Sequence, residues 1–302
     1  MNFEGQVAIV TGAAGGLGKS HALALAARGV RVVVNDIGAT IGIAAAEEPT
    51  AAVAAEITAA GGIAVAYGCD VTNVDEVTRM VADTMKRWGR IDILINNAGI
   101  LRDKSFAKMG LADFERVLDV HLMGSVNCTK AVWPHMVDRA YGRILMTTSA
   151  SGIYGNFGQS NYGAAKSALV GLMNVLAIEG EAKGIRVNSL APTAATQMTD
   201  GLIDEEILGL LSAESISPGA LFLVSDQAPT KTILAAGAGV FAVARMTESA
   251  GVYLPDCART AEDVAARWEE ISNMDASVVT ASAFGQTHRY AEMVLARMKV
   301  AS

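Results

Sequence analysis

Short β-branched runs recur along this chain with alanine-rich, helix-forming segments between them, and that alternation constrains the fold more than any other feature. The runs are Val7-Ala8-Ile9-Val10, Arg31-Val32-Val33-Val34, Ile63-Ala64-Val65-Ala66, Ile91-Asp92-Ile93-Leu94-Ile95, Arg143-Ile144-Leu145-Met146 and Ile185-Arg186-Val187-Asn188. Apolar strands separated by helices pair in parallel through right-handed crossovers, with both sheet faces covered. The expected fold is therefore α/β, a doubly wound parallel sheet in one domain over residues 1–244. A seventh strand is expected around Thr232–Ala235, with its end blurred by Gly237-Ala238-Gly239. Residues 245–302 break the pattern and read as an extension packed on the same domain or on a partner subunit. Within it a helix is expected near Ala261–Ile271, with Val264, Trp268 and Ile271 on one face. The stretch Ala39–Pro49 is long for a strand–helix connection and predicts an extra loop.

Composition narrows the function classes. The chain is 51% hydrophobic, yet no run of about 18 apolar residues goes uninterrupted, so no membrane span is expected. A net charge of −7 disfavours nucleic acid, which selects basic surfaces. Cys69, Cys128 and Cys257 are far apart and lack metal-ligand or disulfide spacing, so they read as thiols in a reducing compartment, and no metal site is signalled. Neither terminus carries a secretory or peroxisomal signal, which makes a soluble, cytoplasmic protein the expectation.

The first strand runs into Thr11-Gly12-Ala13-Ala14-Gly15-Gly16-Leu17-Gly18, which opens a helix. Backbone N–H groups at such a turn can cradle a pyrophosphate. Gly12 permits the tight turn, Gly16 the close backbone approach and Gly18 the helix–strand packing, with Leu17 beside them. Eighteen residues past Gly18, Asp36 closes the second strand, where a carboxylate accepts from ribose hydroxyls and repels a 2′-phosphate. That pattern predicts NAD rather than NADP. Asp70, with Val71 after it, is expected at the adenine end, although strand-end acids also cap helices. Asn97, Ala98 and Gly99 end the fourth strand and are expected beside the cofactor.

Tyr162 and Lys166 lie four apart at the start of a helical segment and share a face. Ser149 stands thirteen residues earlier, at the end of the fifth strand. A phenol titrates near 10, so it needs help to act as a base near neutrality. An ammonium about 4 Å away at an effective dielectric of about 20 supplies roughly 4 kcal/mol, or about three pK units. The expectation is that Lys166 lowers Tyr162 toward 7, that Tyr162 exchanges the proton, and that Ser149 donates to the reacting oxygen. Ser151 is a second hydroxyl within reach.

Together these motifs resemble the short-chain dehydrogenase/reductase family across nearly the whole chain, most specifically from Thr11 to Lys166. The resemblance implies a Rossmann fold, a Ser149–Tyr162–Lys166 catalytic set, and a homodimer or homotetramer built on paired helices. Val33-Val34-Asn35-Asp36, Asn96 through Asp103 and Ser149 through Gln159 resemble the (3R)-3-hydroxyacyl-CoA dehydrogenase branch of that family. That implies NAD-dependent oxidation of 3-hydroxyacyl-CoA with some 17β-hydroxysteroid activity. The loop contacting the nicotinamide carboxamide in the family lacks its usual glycine after Pro192, and Thr196 is the residue left to serve there. His121 stands where many members carry the Asn of a proton relay. The chain ends without hydratase or sterol-carrier domains, so enoyl hydration is not expected.

Two other readings compete with the acyl-CoA one. A dehydrogenase of steroids or other hydrophobic secondary alcohols would use Met109, Met198 and Leu202–Leu211 as an adaptable pocket lining. A non-catalytic nucleotide-binding protein would keep the fold without turnover, which the complete Ser149, Tyr162 and Lys166 set opposes.

Overall fold

A computed structural model describes residues 1–37, 49–194 and 210–301. The expected loop at Ala39–Pro49, apart from Pro49, lies outside the described residues, as do Thr196, Met198 and 202–209 of the proposed lining. The chain divides into two compact units, Met1–Val243 and Ala244–Ser302.

In the first unit, strands β1 (Val7–Val10), β2 (Arg31–Asp36), β3 (Ile63–Gly68), β4 (Ile93–Asn96), β5 (Gly142–Thr147), β6 (Ile185–Thr193), β7 (Ile233–Gly237) and β8 (Val240–Ala244) form one sheet. Their order is β3-β2-β1-β4-β5-β6-β7-β8, parallel through β7 with Val10 opposite Val34 and Ile95, and Leu145 opposite Asn188. Each side chain alternates faces along a strand. Ala8, Val10, Val32, Val34, Ile93, Ile95 and Leu145 join one core with helices α1 (Gly16–Ala26) and α2 (Pro49–Ala59). Their neighbours Ile9, Val33, Leu94, Ile144 and Met146 are also buried. Helices α3 (Val74–Trp88), α4 (Leu111–Leu118) and α5 (Gly124–Asp138) follow, then α6 (Ala150–Tyr154), α7 (Ser160–Glu181) and α8 (Ser217–Leu223).

The strand order reverses at β1, between the β2 and β4 sides, and a crevice at the carboxyl ends of the strands is where such sheets bind ligands. The eighth strand is absent from the sequence reading. Ala238 and Gly239 both have positive φ, 51° and 76°, the two-residue turn that folds β7 back into β8. What reads in sequence as a blurred loop is thus a hairpin turn.

The second unit also differs from expectation. The predicted helix breaks at Arg267, leaving α9 (Ala261–Ala266) and α10 (Trp268–Ile271). Val264 and Trp268 are 40% and 60% exposed, so their shared face is not a buried one. Thr260 and Asp263 cap α9 reciprocally. A further helix, α11 (Ala283–Ala301), lies where no element was expected, and its Arg289 pairs with Glu248.

Candidate active site

A cleft of about 950 Å³ runs across the strand ends. Every described residue expected to bind the cofactor or take part in catalysis, except Gly18, lines it: Gly12, Gly16, Leu17, Asp36, Asp70, Val71, Asn97, Ala98, Gly99, Ser149, Tyr162 and Lys166. Gly18 lies beneath, in packing contact, because a Cβ there would sit 2.2 Å from the Gly12 carbonyl oxygen. Met109 is not among the lining residues.

The glycine turn is held from behind. Asn97 donates through its side chain to the carbonyls of Thr11 and Gly12 at 3.0 and 3.1 Å. The Thr11 hydroxyl accepts from the backbone of Asn97 and Ala98. Asn97 therefore spends its amide on the turn and meets the cleft as a wall. The residues fit a dinucleotide: α1 starts with no side-chain cap and no acid in its first turn, so its N–H groups stay open to an anion. Gly12 and Gly16 hold positive φ, and a Cβ on Gly12 would meet Ala98 Cα at 2.8 Å.

Asp36 sits at the end of β2, its carboxylate accepting from the backbone of Ala14 at 3.1 Å and Ile37 at 2.8 Å. Asp70 behaves as a turn-former: it accepts from the Thr72 backbone and hydroxyl at 2.9 and 2.8 Å and faces Arg116 at 3.6 Å. These bonds and the guanidinium hold its carboxyl below the usual range although burial opposes them.

At the other end, Ser149 caps α6, accepting from Ser151 N at 3.2 Å, and lines the same cleft as Tyr162. Ser151 is turned away, donating to Gln159 Oε1 at 2.7 Å. Lys166 shares the inward face of α7 with Leu169, Val170 and Met173, which carries its amine into the interior. It donates to the Thr147 carbonyl at 2.5 Å and lies 5.5 Å from the Tyr162 ring centre.

The electrostatics reverse the expectation. Burial pushes Lys166 down to about 7 and raises Tyr162 above the ordinary phenol value, with the nearby Ser149 hydroxyl offsetting part of that and Asp103 adding to it. Desolvation disfavours the charged form of each group, so the phenol is raised rather than lowered. Sequence spacing placed the two groups together but carried no measure of their burial.

His121 lies in a π-helical turn, Asp119–Met123, between α4 and α5. Its ring stands edge-on to Tyr162 at 5.2 Å, Nε2 engages Ile100 and buried Nδ1 has no partner. Burial pushes it down to about 3, so it is a neutral imidazole beside the phenol. Gln159 is a site residue that the spacing argument missed. It lines the cleft and donates to Asp103 at 2.7 Å. Its position three residues before Tyr162, on the loop entering α7, was the available signal.

A glycine turn with open backbone N–H groups, and a hydroxyl, a phenol and a buried amine facing the same cleft, suit an oxidoreductase that works with a nicotinamide dinucleotide. Residues 6–206 match the short chain dehydrogenase family. The chain is 44% identical over 277 residues to peroxisomal multifunctional enzyme A of Dictyostelium discoideum, covering 91% of this chain and 62% of that one. Full-length peroxisomal multifunctional enzyme type 2 from Drosophila melanogaster superposes with a TM-score of 0.81 at 34% identity, over 99% of this chain and 51% of that one. A 7α-hydroxysteroid dehydrogenase complexed with NADH and 7-oxo glycochenodeoxycholic acid gives 0.70 at 32% identity, over 79% and 95%. The chain belongs to the short chain dehydrogenase family, and it spans only about half to three-fifths of the multifunctional relatives it resembles. Among its described residues no helix is long and apolar enough to cross a membrane.

Proposed function

We propose that this chain oxidises the secondary alcohol of a 3-hydroxyacyl-CoA with NAD. The observation that carries the chemistry is that Ser149, Tyr162 and Lys166 line one cleft with the open start of α1. Ser149 and Tyr162 would hold the substrate oxygen between them, and Tyr162 would take its proton as base. When bound, the nicotinamide supplies the hydride acceptor and a positive charge near the phenol. Ser149 stabilises the oxygen as charge develops, and Lys166 relays the proton or holds the ribose. Gly12, Gly16, Leu17, Asp36, Val71, Ala98 and Gly99 would hold the dinucleotide. NAD is favoured because Asp36 closes β2 beside the glycine turn, where a carboxylate would repel a 2′-phosphate.

The acyl-CoA substrate is supported by the identity to multifunctional relatives. NADH formation from 3-hydroxyacyl-CoA, followed at 340 nm with purified protein against NADP as cosubstrate, tests both parts. No turnover at any chain length rejects the substrate, and preference for NADP rejects the cofactor. Likeness to the hydroxysteroid dehydrogenase favours a second reading, a hydrophobic secondary alcohol. A bile-acid hydroxysteroid in the same assay separates the two.

A further inference from the structure

Outside the cleft, the segment after β4 carries charges that the proposed chemistry does not use. Ile100 and Leu101 line the cleft, and the chain then emerges onto its rim as Arg102 and Lys104, 57% and 54% exposed. Two hydrogen bonds tie this rim to the start of α7 and the loop before it. Lys104 N donates to the Gly158 carbonyl at 2.9 Å, and Asn161, next to Tyr162, donates to the Arg102 carbonyl at 3.0 Å. Both cations share one carboxylate, Asp113, at 3.8 Å from Arg102 and 3.1 Å from Lys104. Asp103 between them is turned onto Gln159. Along residues 102–113 the cations Arg102, Lys104 and Lys108 outnumber the acids Asp103 and Asp113, on a chain whose net charge is −7.

Two exposed aromatics lie on the same stretches of backbone. Phe106 is 77% exposed beyond Lys104, and Phe157, 89% exposed, precedes the glycine that bonds Lys104. Exposed ion pairs contribute little, so a phosphate making charge-assisted bonds to the same cations can displace Asp113. Exposed aromatic rings beside cations also suit a purine, which stacks on such faces.

We propose that Arg102 and Lys104 bind the phosphates of the substrate's coenzyme A, beside Phe106 and Phe157, while the pantetheine arm passes over Leu101 into the cleft. The proposal rests on the acyl-CoA reading above and adds where its nucleotide end is recognised.

The test compares one 3-hydroxyacyl group carried on coenzyme A and on N-acetylcysteamine, which lacks phosphate. In the R102Q/K104Q variant the ratio of kcat/KM for the two thioesters falls about tenfold, through KM, as two exposed charge contacts are lost. Asp113→Asn, which removes the competing carboxylate, raises the same ratio. Adenosine 3′,5′-bisphosphate competes with the coenzyme A thioester in the unsubstituted protein and loses that effect in the double variant. NAD affinity, measured by titration, reports folding of each variant. Oxidation of both thioesters with an unmoved ratio overturns this inference and leaves the substrate reading standing. Oxidation of neither overturns the substrate reading itself. A ratio that falls only for an acyl carrier protein thioester assigns the cations to a protein partner and also overturns the inference.

Discussion

The two ends of the cleft are held together by opposite means. At the dinucleotide end, three polar side chains are satisfied by nearby turns: Asn97 on Thr11 and Gly12, Asp36 on Ala14 and Ile37, Asp70 on Thr72. At the catalytic end, polar groups are buried with bonding capacity left over. Lys166 is 3% exposed with one carbonyl partner, and His121 Nδ1 and Thr147 Oγ1 have none. Burying an ionisable group without a counter-charge costs free energy, and catalytic groups bear that cost where their titration must be moved. A cradle can therefore be rigid and satisfied, whereas the reacting cluster is under electrostatic stress.

Substitutions should separate the two ends. Lys166→Met is expected to lower kcat/KM about a thousandfold or more, within the range of acid–base contributions. It should also raise thermal stability. A native amine at about 7 against about 10.5 unfolded means the unfolded chain holds more protons across that interval. Stability then rises with pH from 7 to about 10.5, so at neutral pH the group opposes folding. Its removal should add roughly 2 kcal/mol, read as a several-degree increase in Tm by calorimetry. An unchanged or lower Tm would break the contrast.

Gly18→Ala acts on the satisfied end and should do the reverse. Its Cβ would collide with the Gly12 carbonyl and the Asn97 amide, at 2.2 and 2.6 Å. Displacing that turn is expected to weaken NAD binding about a hundredfold and to cost roughly 1–3 kcal/mol of stability. Fluorescence titration and denaturant unfolding measure the two.

The fold and the satisfied end were legible because their signals are local. The glycine turn, Asp36 and the strand-end Asn97 are fixed by short spacing along βα units. Tyr162 and Lys166 were also found by spacing, but their titration was misjudged because it depends on which side of α7 packs inward. The apolar residues at Leu169, Val170 and Met173 mark that side, and Lys166 shares it. The eighth strand was missed because Ala238-Gly239 supplies a hairpin turn whose positive φ values no periodicity announces. The break at Arg267 was missed because the spacing of Val264, Trp268 and Ile271 satisfies a helix that the backbone does not continue.

Buried histidines sharpen the contrast through pH. Burial holds His121 at about 3 and His21, which bonds Ser217 at 2.8 Å, at about 4. Below about 6.5 the unfolded chain takes up protons that the native chain refuses, so stability is lost as pH falls from 6.5 toward 4. Unfolding free energies from denaturant titrations at pH 7 and 5.5 should differ by roughly 1–3 kcal/mol, and His21→Asn should remove part of that slope. The smallest effect belongs to Asp36. Asp36→Asn is expected to lower the preference for NAD over NADP about tenfold, in kcat/KM for each cosubstrate, with little change in stability.

The most direct test is the pH dependence of alcohol oxidation by the unsubstituted protein and by Tyr162→Phe, with NAD affinity measured alongside. Burial raises the phenol, and its deprotonated form is the base, so kcat/KM should climb as pH rises above neutral. The Phe variant should keep NAD binding and lose that climb, with rates lower by about a thousandfold or more. A Phe variant that turns over with the same alkaline limb would contradict the assignment of Tyr162 as the base.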